Sequence, residues 1–328
     1  MRWTVQRLLQ GIVTIWAVMT VSFALVRLLP GNPVDFLIVD LVQQGVEPAE
    51  AAQRAQNMLN IDPTKPLHIA YFEYMFDVLQ GNLGQSTWYS EPVTAVIGRA
   101  LPWTILVMSY GVLLSFLLGI VGGAFMAYFE GQKLDLALTS YATFMISVPY
   151  YVLAIILLVF LGYRFGLFPA SGRVPTGVTP GVNLPYIAGV LHHAALPILS
   201  QVVITGGIAL QMRGNSIRVL GEDYLRVARL RGLSDYLIAT RYVGRNAVLP
   251  IYTGLMISIG AMFGGAVVLE TIFKYRGMGY YLVRAVQTRD FPLMMGAFTV
   301  IAVAVVIALL VADITYGRLD PRAGRGEV

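Results

Sequence analysis

The chain of 328 residues has no cysteine and few of the side chains that catalysis and metal binding need. Its histidines are His68 and the adjacent pair His192 and His193, with no His-Glu-x-x-His pair, so a built-in metal or nucleophile–base site is not expected. None of the three lysines is followed by Ser or Thr, so the chain has no Gly-Lys-Ser/Thr phosphate-binding loop. We therefore expect no catalytic residue, no cofactor, no metal and no nucleotide hydrolysis by this chain itself.

Charged residues are also scarce: they make up 12% of the chain, against roughly 25% in soluble domains. A membrane span needs about 20 apolar residues. Six long windows of the sequence lack Asp, Glu, Lys and Arg. One of them, 174–212, starts with a Gly- and Pro-rich loop, so its helix is expected to begin near His193. The pattern predicts an all-α integral membrane protein with six transmembrane helices, and it disfavours a buried soluble core. The five other windows without Asp, Glu, Lys or Arg are 8–26, 100–129, 136–163, 246–269 and 291–312.

The middle of each predicted span lacks Asp, Glu, Lys, Arg and His. Ion-coupled pumps usually need such a group as a relay, so a secondary transporter is disfavoured, and a membrane-embedded enzyme lacks its polar residues too. A passive pore is compatible with the spans alone. Glu270 and Asp313 lie at the ends of their spans, where a carboxylate can reach water, with interfacial anchoring as the simpler role.

The distribution of Lys and Arg predicts the orientation. With a cytoplasmic N-terminus, thirteen of the 23 basic residues face the cytoplasm, and the other ten lie in outer segments about twice as long in total. Both termini are then cytoplasmic. The net charge of +5 reflects this orientation, and nucleic-acid binding is not expected because no basic face carries interleaved aromatics. A cleaved signal peptide at 8–26 is disfavoured because no small-residue cleavage site follows.

These windows divide the chain into four parts. Within the second part, the extracytoplasmic segment 30–99, Glu47–Asn60 and Leu67–Leu79 are predicted helices, the second lying on the membrane surface, and Gly81–Ser86 is a predicted turn. The segment either receives a binding protein or covers the helix bundle. Residues 164–192 and 274–290 are predicted outer loops. The parts are 1–29 (lead and first span), 30–99 (extracytoplasmic segment), 100–315 (spans two to six) and 316–328 (cytoplasmic tail).

Glycine and proline positions indicate how the spans pack. Gly119 and Gly123 in the second span stand at small-xxx-small spacing, as do Gly260 and Gly264 in the fifth, and this spacing lets helices approach closely. Predicted kinks lie at Pro149 and Pro197. All six residues are interpreted as packing devices, with substrate contact as the alternative.

The longest charged segment is residues 213–250, with seven Arg against three carboxylates and a net charge of +4. We predict two short helices, joined at Gly232, which suits the left-handed position past a helix end. Ser234 is the predicted N-cap of the second helix. Asp235 stands in the first turn of that helix, where the dipole favours a carboxylate, and Pro250 is predicted to end it. A passive pore would have little use for such a hairpin, which fits docking into a partner protein. Apolar residues at helical spacing in the first helix are Ile217, Leu220, Tyr224, Val227 and Ala228.

This hairpin resembles the cytoplasmic coupling loop of ATP-binding-cassette (ABC) importer permeases, whose motif runs Glu-Ala-Ala, three residues, Gly, and later Leu-Pro. Ala228 and Gly232 match its second Ala and its Gly, and Leu249-Pro250 match its end, while Arg226 and Val227 replace the Glu and the first Ala. The spacing from Gly232 to Leu249 is similar to the dipeptide, oligopeptide and nickel branch. The resemblance extends along the chain through RLLQGI, RLLPGNPVD, GNLGQS, LFPASG and DITYGRLDPR.

The resemblance implies a type I ABC importer permease fold, in a multi-pass protein of the cell membrane, with a small extracytoplasmic subdomain between the first two spans. It implies as partners a second homologous permease subunit, two ATP-binding-cassette ATPase subunits and an extracytoplasmic solute-binding protein, with ATP-driven alternating access. Peptides are the expected cargo, and oligosaccharides or chelated nickel are the alternatives. The residues implied at the ATPase-coupling interface are Arg226, Val227, Ala228, Arg231, Gly232, Leu233 and Ser234.

Overall fold

A computed structural model describes residues 2–28, 33–59, 65–203 and 205–319, and these ranges form helices and connecting turns. The all-α prediction is therefore confirmed. π-Helical segments at Leu158–Arg164 and Ile238–Gly244 extend the helices that precede them. The α-helices are α1 (Arg2–Leu28), α2 (Pro33–Gln43), α3 (Pro48–Leu59), α4 (Leu67–Leu79), α5 (Val93–Tyr128), α6 (Lys133–Ser147), α7 (Tyr150–Leu157), α8 (Leu184–Val202), α9 (Gly206–Leu220), α10 (Asp223–Leu230), α11 (Asp235–Leu237), α12 (Arg245–Ile272), α13 (Met278–Thr288) and α14 (Phe291–Leu319).

Three helical stretches are long and apolar enough to cross a membrane on their own: Val5–Leu25, Val93–Tyr128 and Phe291–Val311. Two bent helix pairs, α6 with the helix through Arg164 and α8 with α9, pass the same test together, so the described part of the chain offers up to five such spans. The remaining uncharged window, 246–269, lies within α12. The count of six spans stays a prediction.

The chain divides into two compact units, and the first contains the described residues within 1–104 and 276–310. In this unit α2 and α3 pack against each other through buried small and branched side chains. The helices predicted at 47–60 and 67–79 are found as α3 and α4, with boundaries at Pro48 and at Leu67. Alanine content therefore identified the first helix and apolar periodicity the second. The buried residues of this cluster are Val34, Leu41, Ala51, Ala55 and Phe291.

The GNLGQS sequence forms the predicted turn of the first unit. Gly81 and Gly84 take positive φ angles of 80° and 78°, which L-residues with a Cβ rarely adopt. The hydroxyl of Ser86 donates to the carboxylate of Asp290, and the backbone N–H of Trp88 donates to the same carboxylate at 3.2 Å. Ser86 and Asp290 are fully buried, so this carboxylate fixes the turn from a position some 200 residues later in the sequence.

The second unit contains the described residues within 105–275 and 311–319, and its helices approach closely at glycines. A Cβ on Gly119 would lie 2.6 Å from the side chain of Ile208 in α9, and a Cβ on Gly123 would collide with the carbonyl of Ala209. The close-packing role of these two glycines is therefore confirmed. The environments of Gly260 and Gly264, and of Asp313, lie outside the described side chains.

At Pro149 the helix breaks completely, which exceeds the predicted kink. Val148 is extended because a residue before proline is forced out of the α region, and Pro149 then caps α7 with ψ 136°. The axes of the two flanking helices differ by 96°. At Pro197, in contrast, α8 continues to Val202, and the break comes between Val202 and Gly206.

Four predictions about span ends and outer loops are wrong. The helix expected near His193 begins at Leu184, because Asn183 caps it by accepting from the backbone N–H of Tyr186 at 2.9 Å. The loop predicted at 274–290 contains α13, and that at 164–192 contains the start of α8. Glu270 is almost completely buried in the second unit, so its carboxylate does not reach water within this chain.

Candidate coupling hairpin

The charged segment 213–250, called the coupling hairpin below, follows a path with one more break than predicted. α9 ends at Leu220, and Glu222 turns the chain with an extended backbone before α10 begins at Asp223. The single first helix of the prediction is therefore wrong. Pro250 does not end the second helix either: it lies inside α12, because its ring-fixed φ is helical and only one hydrogen bond, to the carbonyl of Asn246, is lost.

Gly232 takes the predicted left-handed conformation, with φ +72°. The backbone N–H of Leu233 donates to the carbonyl of Ala228 at 3.3 Å, and that of Gly232 donates to the carbonyl of Arg229 at 2.9 Å. This pair of bonds is a Schellman motif, which satisfies the last carbonyls of α10 and reverses the chain. Among the described residues, apart from its two chain neighbours, none comes within 4 Å of a Cβ built on Gly232, so the position needs glycine for its backbone angle and not for space.

Ser234 caps the next helix as predicted. Its hydroxyl accepts from the backbone N–H of Leu237 at 3.4 Å, and Asp235 stands in the first turn, where the helix dipole favours a carboxylate. The two motifs leave only two residues, Leu233 and Ser234, between the C′ glycine and the next helix. The knuckle of the hairpin, residues 226–236, therefore combines a Schellman motif with an N-cap two residues later.

The hairpin has a small apolar core of its own. Leu233 packs against it from the turn, which supplies the hydrophobic contact that accompanies a Schellman motif. The predicted apolar face of α10 is wrong in part: Tyr224 and Val227 are exposed, whereas Leu225 is fully buried. Ala228, expected at the partner interface, instead lies inside this core. The buried residues are Leu225, Ala228, Ile238 and Val243.

The outer face of the knuckle is apolar in the middle and basic around it. Val227, Leu230 and Tyr236 are 53%, 83% and 79% exposed, which is unusual for side chains of this size in a segment that also builds a core. Arg226 and Arg231 are exposed beside them. Sequence inspection missed Leu230 and Tyr236. A helical wheel of α10 centred on Leu225 and Ala228 would have placed Leu230 opposite the core, whereas Tyr236 lies in α11, beyond the turn.

A partly buried ion pair ties the base of the hairpin to α6. The guanidinium of Arg213 in α9 donates from Nε to Oδ1 of Asp135 at 2.6 Å and from Nη2 to Oδ2 at 2.7 Å. The backbone N–H of Gly131 and the hydroxyl of Thr139 also donate to this carboxylate. Asp135 precedes the uncharged window 136–163, and hydrogen bonding from Arg213 holds the pKa of its carboxyl well below the usual range, so the pair stays ionised near neutrality.

α9 is fixed to its neighbours by two further contacts. The side-chain amide of Asn215, which is buried, donates to the backbone carbonyl of Ala247 in α12 at 3.0 Å. At the other end of α9, a Cβ on Gly206 would collide with the backbone of Ala142 in α6, so these two helices touch backbone to backbone. The helices that enter and leave the hairpin are thus joined to each other and to α6 within the second unit.

Comparison with known proteins gives the family. The family of binding-protein-dependent transport system inner membrane components matches residues 119–325, which include the coupling hairpin. A putative peptide permease protein of Brucella suis is 33% identical over 329 residues and 98% of both chains. A probable D,D-dipeptide transport system permease protein of Escherichia coli is 31% identical over 96% of both chains. A di/tripeptide transport system permease protein of Pseudomonas aeruginosa is 30% identical over 94% of both chains.

The family match covers well over half of the chain, and the relatives align along almost all of it, so the resemblance seen in the sequence motifs is confirmed. The apolar helices agree with a multi-pass protein of the inner membrane. This chain belongs to the family of inner membrane components, or permease subunits, of binding-protein-dependent ABC transport systems.

Proposed function

We propose that this chain forms half of the translocation pathway of an ATP-driven importer of peptides, delivered by an extracytoplasmic solute-binding protein. The relatives described above are named for peptide, D,D-dipeptide and di/tripeptide transport, which favours peptides over oligosaccharides or chelated nickel. One observation carries the energy-coupling part of the proposal. The knuckle of the coupling hairpin exposes large apolar side chains to solvent, and exposed apolar patches mark sites of protein–protein interaction.

In this proposal the chain crosses the membrane six times, with both termini in the cytoplasm, in the type I ABC importer permease arrangement. The coupling hairpin then lies in the cytoplasm, and the segment 30–99 forms an extracytoplasmic subdomain, with spans two to six in 100–315 and a cytoplasmic tail at 316–328. The helical stretches at 5–25, 93–128 and 291–311 support three of the crossings. Broken spans are compatible with the others, because a freed backbone group in a membrane needs protein or water around it.

The coupling hairpin docks into a groove of an ATPase subunit. Val227, Leu230 and Tyr236 fill the groove, and Arg226 and Arg231 lie at its rim, where charge sets orientation more than affinity. Gly232 and Ser234 shape the turn that presents these side chains, while Leu233 and Ala228 support it from inside the hairpin. Ala228 thus contributes to the interface through the core of the hairpin, as does the cap on each side of the turn.

Movement of the hairpin reaches the spans through α9. The Asp135–Arg213 ion pair joins α9 to α6, and the Asn215–Ala247 hydrogen bond joins it to α12. Both contacts are buried or half-buried, where polar interactions are strong and costly to leave unmade. When the ATPase subunits close, the three helices would therefore move as a rigid group, in the manner of domain rotations in other switching proteins.

The full machine would contain a second, homologous permease subunit, two ATP-binding-cassette ATPase subunits and the solute-binding protein. The chain itself hydrolyses no ATP in this scheme, because no lysine stands in a phosphate-binding loop. The rivals of another class are an ion-coupled secondary transporter and a membrane-embedded enzyme, and both are disfavoured because the predicted spans of this chain lack the titratable or polar groups that each would need.

The decisive experiment replaces Leu230 with Asp in the complete transporter. Leu230 is 83% exposed, so the substitution does not disturb the core of the hairpin, but it places a carboxylate in a proposed apolar groove. We expect peptide uptake into proteoliposomes, binding-protein-stimulated ATPase activity and co-purification of the ATPase subunits each to fall by about tenfold or more.

Val182→Asp is the matched control, because Val182 is a fully exposed apolar residue in the segment between α7 and α8. It should leave uptake and ATPase activity unchanged. Normal ATPase binding and normal uptake by the Leu230→Asp transporter would show that the knuckle contacts no ATPase.

A further inference from the structure

α4 exposes a row of large apolar side chains along one face. Ile69, Phe72, Phe76 and Leu79 follow each other at intervals of three and four residues, which places them on one side of the helix. Phe72 is 69% exposed, Phe76 63% and Leu79 81%. A helix on a soluble surface would carry polar residues at these positions. The row therefore requires a partner of apolar chemistry.

The opposite face of α4 packs on the first candidate span. The hydroxyls of Tyr71 in α4 and Thr20 in α1 are 2.7 Å apart and hydrogen bonded. The ring of Phe23 lies 5.4 Å from that of Tyr71, edge to face, and 5.6 Å from that of Tyr74, stacked. These contacts fix which side of α4 turns toward α1, and they leave the row of phenylalanines on the other side.

The contact point on α1 sets the depth of α4. The apolar run of α1 ends at Leu25, and Thr20 lies five residues before that end, or roughly 7.5 Å at 1.5 Å per residue. Helices that lie in the plane of a membrane bury their apolar face about 5–10 Å into the boundary between headgroups and acyl chains. In the same part of α1, Val21 and Leu25 are exposed, so the apolar surface does not stop at α4.

The charged residues of α4 are confined to a flank. At 100° per residue, Glu73 and Asp77 lie between the face that packs on α1 and the exposed row, and neither interrupts the row. Glu73 is paired with Lys65 at 2.8 Å, and both side chains are exposed. A helix with one apolar exposed face and its charges to one side suits a boundary between lipid and water.

We propose that α4 lies in the plane of the membrane, at the lipid–water interface on the extracytoplasmic side. In this position Ile69, Phe72, Phe76 and Leu79 contact phospholipid acyl chains, and Glu73 and Asp77 lie at the headgroups. This proposal rests on α1 crossing the membrane, as in the proposed function. It assigns part of the segment 30–99 to the lipid surface and leaves α2 and α3 to face the aqueous compartment.

The absence of cysteine allows the test in the full chain. Phe72→Cys and Phe76→Cys would be labelled with bimane, a polarity-sensitive fluorophore, and reconstituted in phosphatidylcholine–phosphatidylglycerol vesicles with or without bromine at shallow acyl positions. Glu73→Cys is the control on the same helix. We expect brominated lipid to quench the labels at positions 72 and 76 by about twofold or more relative to that at 73, and aqueous iodide to quench mainly position 73.

Two results would overturn the proposal. Iodide quenching at positions 72 and 76 equal to that at 73 would place the row in water. Protection from both quenchers in the assembled transporter, gained when the solute-binding protein or the second permease is added, would identify a protein contact. Either result leaves the Leu230→Asp experiment intact, because that experiment does not depend on α4.

Discussion

Gly232 is the residue on which the shape of the coupling hairpin depends most directly. It closes the Schellman motif at the end of α10 and stands two residues before the Ser234 cap. Its positive φ of 72° is what a Cβ opposes, since the space around it is open. The effect of a substitution should therefore follow the tolerance of the new residue for the left-handed region, and not its volume alone.

We predict that Gly232→Val leaves the transporter assembled in the membrane but reduces uptake and stimulated ATPase activity by about tenfold. A left-handed conformation costs an L-residue roughly 1–2 kcal/mol, and more for a β-branched one, so the chain would relax and tilt the knuckle. Proteoliposome uptake and ATPase assays at matched abundance measure the effect.

The control is Gly232→Asn, because asparagine tolerates the left-handed region and is found at this helix-end position. Activity close to that of the unmodified transporter is expected for this variant. Equal loss in the Val and Asn variants would mean that side-chain bulk at the interface matters and the backbone angle does not.

Local signals allowed some residues to be predicted from sequence and hid others. Gly232, Ser234, Gly119 and Gly123 were identified because the chemistry of caps and close helix contacts is contained in a few neighbouring residues. Asp135 and Arg213 were not paired, because 78 residues separate them and nothing local marks either partner. Ala228 was recognised as a motif residue, but its place in the hairpin's own core was not predicted.

At the scale of helices, boundaries were predicted well where composition or periodicity is clear and prolines lie nearby, as in α3 and α4. α8 begins earlier than expected. The absence of charge across a window does not indicate where a helix begins within it, and the cap at Asn183 was not recognised. α13 was taken for a loop because its first residues follow Gly277 and are themselves glycine-rich. No proline marks the extra break before α10. Pro250, which was expected to end a helix, lies inside α12.

The contact between α6 and α9 gives a prediction about how elements move together. We expect Asp135→Asn to lower the amount of peptide transported per ATP hydrolysed by several-fold, because the partly buried Arg213 is left without its counter-charge. Uptake and ATP hydrolysis would be measured in the same proteoliposomes, so that their ratio reports coupling and not abundance.

The double variant Asp135→Arg with Arg213→Asp restores opposite charges in reversed positions, and should recover part of the lost ratio. Arg54→Ala is the control, since the Arg54–Glu50 pair is exposed on both sides and exposed pairs contribute little. A normal uptake-to-ATP ratio in Asp135→Asn would mean that the ion pair stabilises the fold without transmitting movement.

For the whole molecule, composition defined the class more securely than the path of the chain. Uncharged windows of 19 to 30 residues are long enough to indicate membrane spans, and the all-α membrane class follows from them. Hydropathy carries no information on helix direction, however: Pro149 indicated a kink in the 136–163 window, but not that the helix axis turns by 96° there. Motifs distributed along the chain carried the family assignment, because each depends on specific residues and not on average polarity.

Orientation is the whole-molecule property that the proposed function most requires. The bias of Lys and Arg predicts that the coupling hairpin and both termini face the cytoplasm. Single-cysteine variants in this cysteine-free chain test it directly with a membrane-impermeant maleimide on intact cells. Gln53→Cys in α3 and Val182→Cys, both at exposed positions, should react from outside, whereas Arg241→Cys in the hairpin and Gly324→Cys near the end of the chain should not.

After detergent solubilisation all four variants should react, which controls for thiols that are sterically hidden. The expected pattern follows from charge: thirteen basic residues would otherwise have to be carried to the outer side, against the orientation that positive charges impose during insertion. Labelling of position 241 from outside would show that the hairpin does not lie in the compartment that holds ATP, and the ATPase-coupling proposal would be untenable. Labelling at 324 alone would instead indicate an odd number of spans, while leaving the hairpin free to bind its ATPase partner.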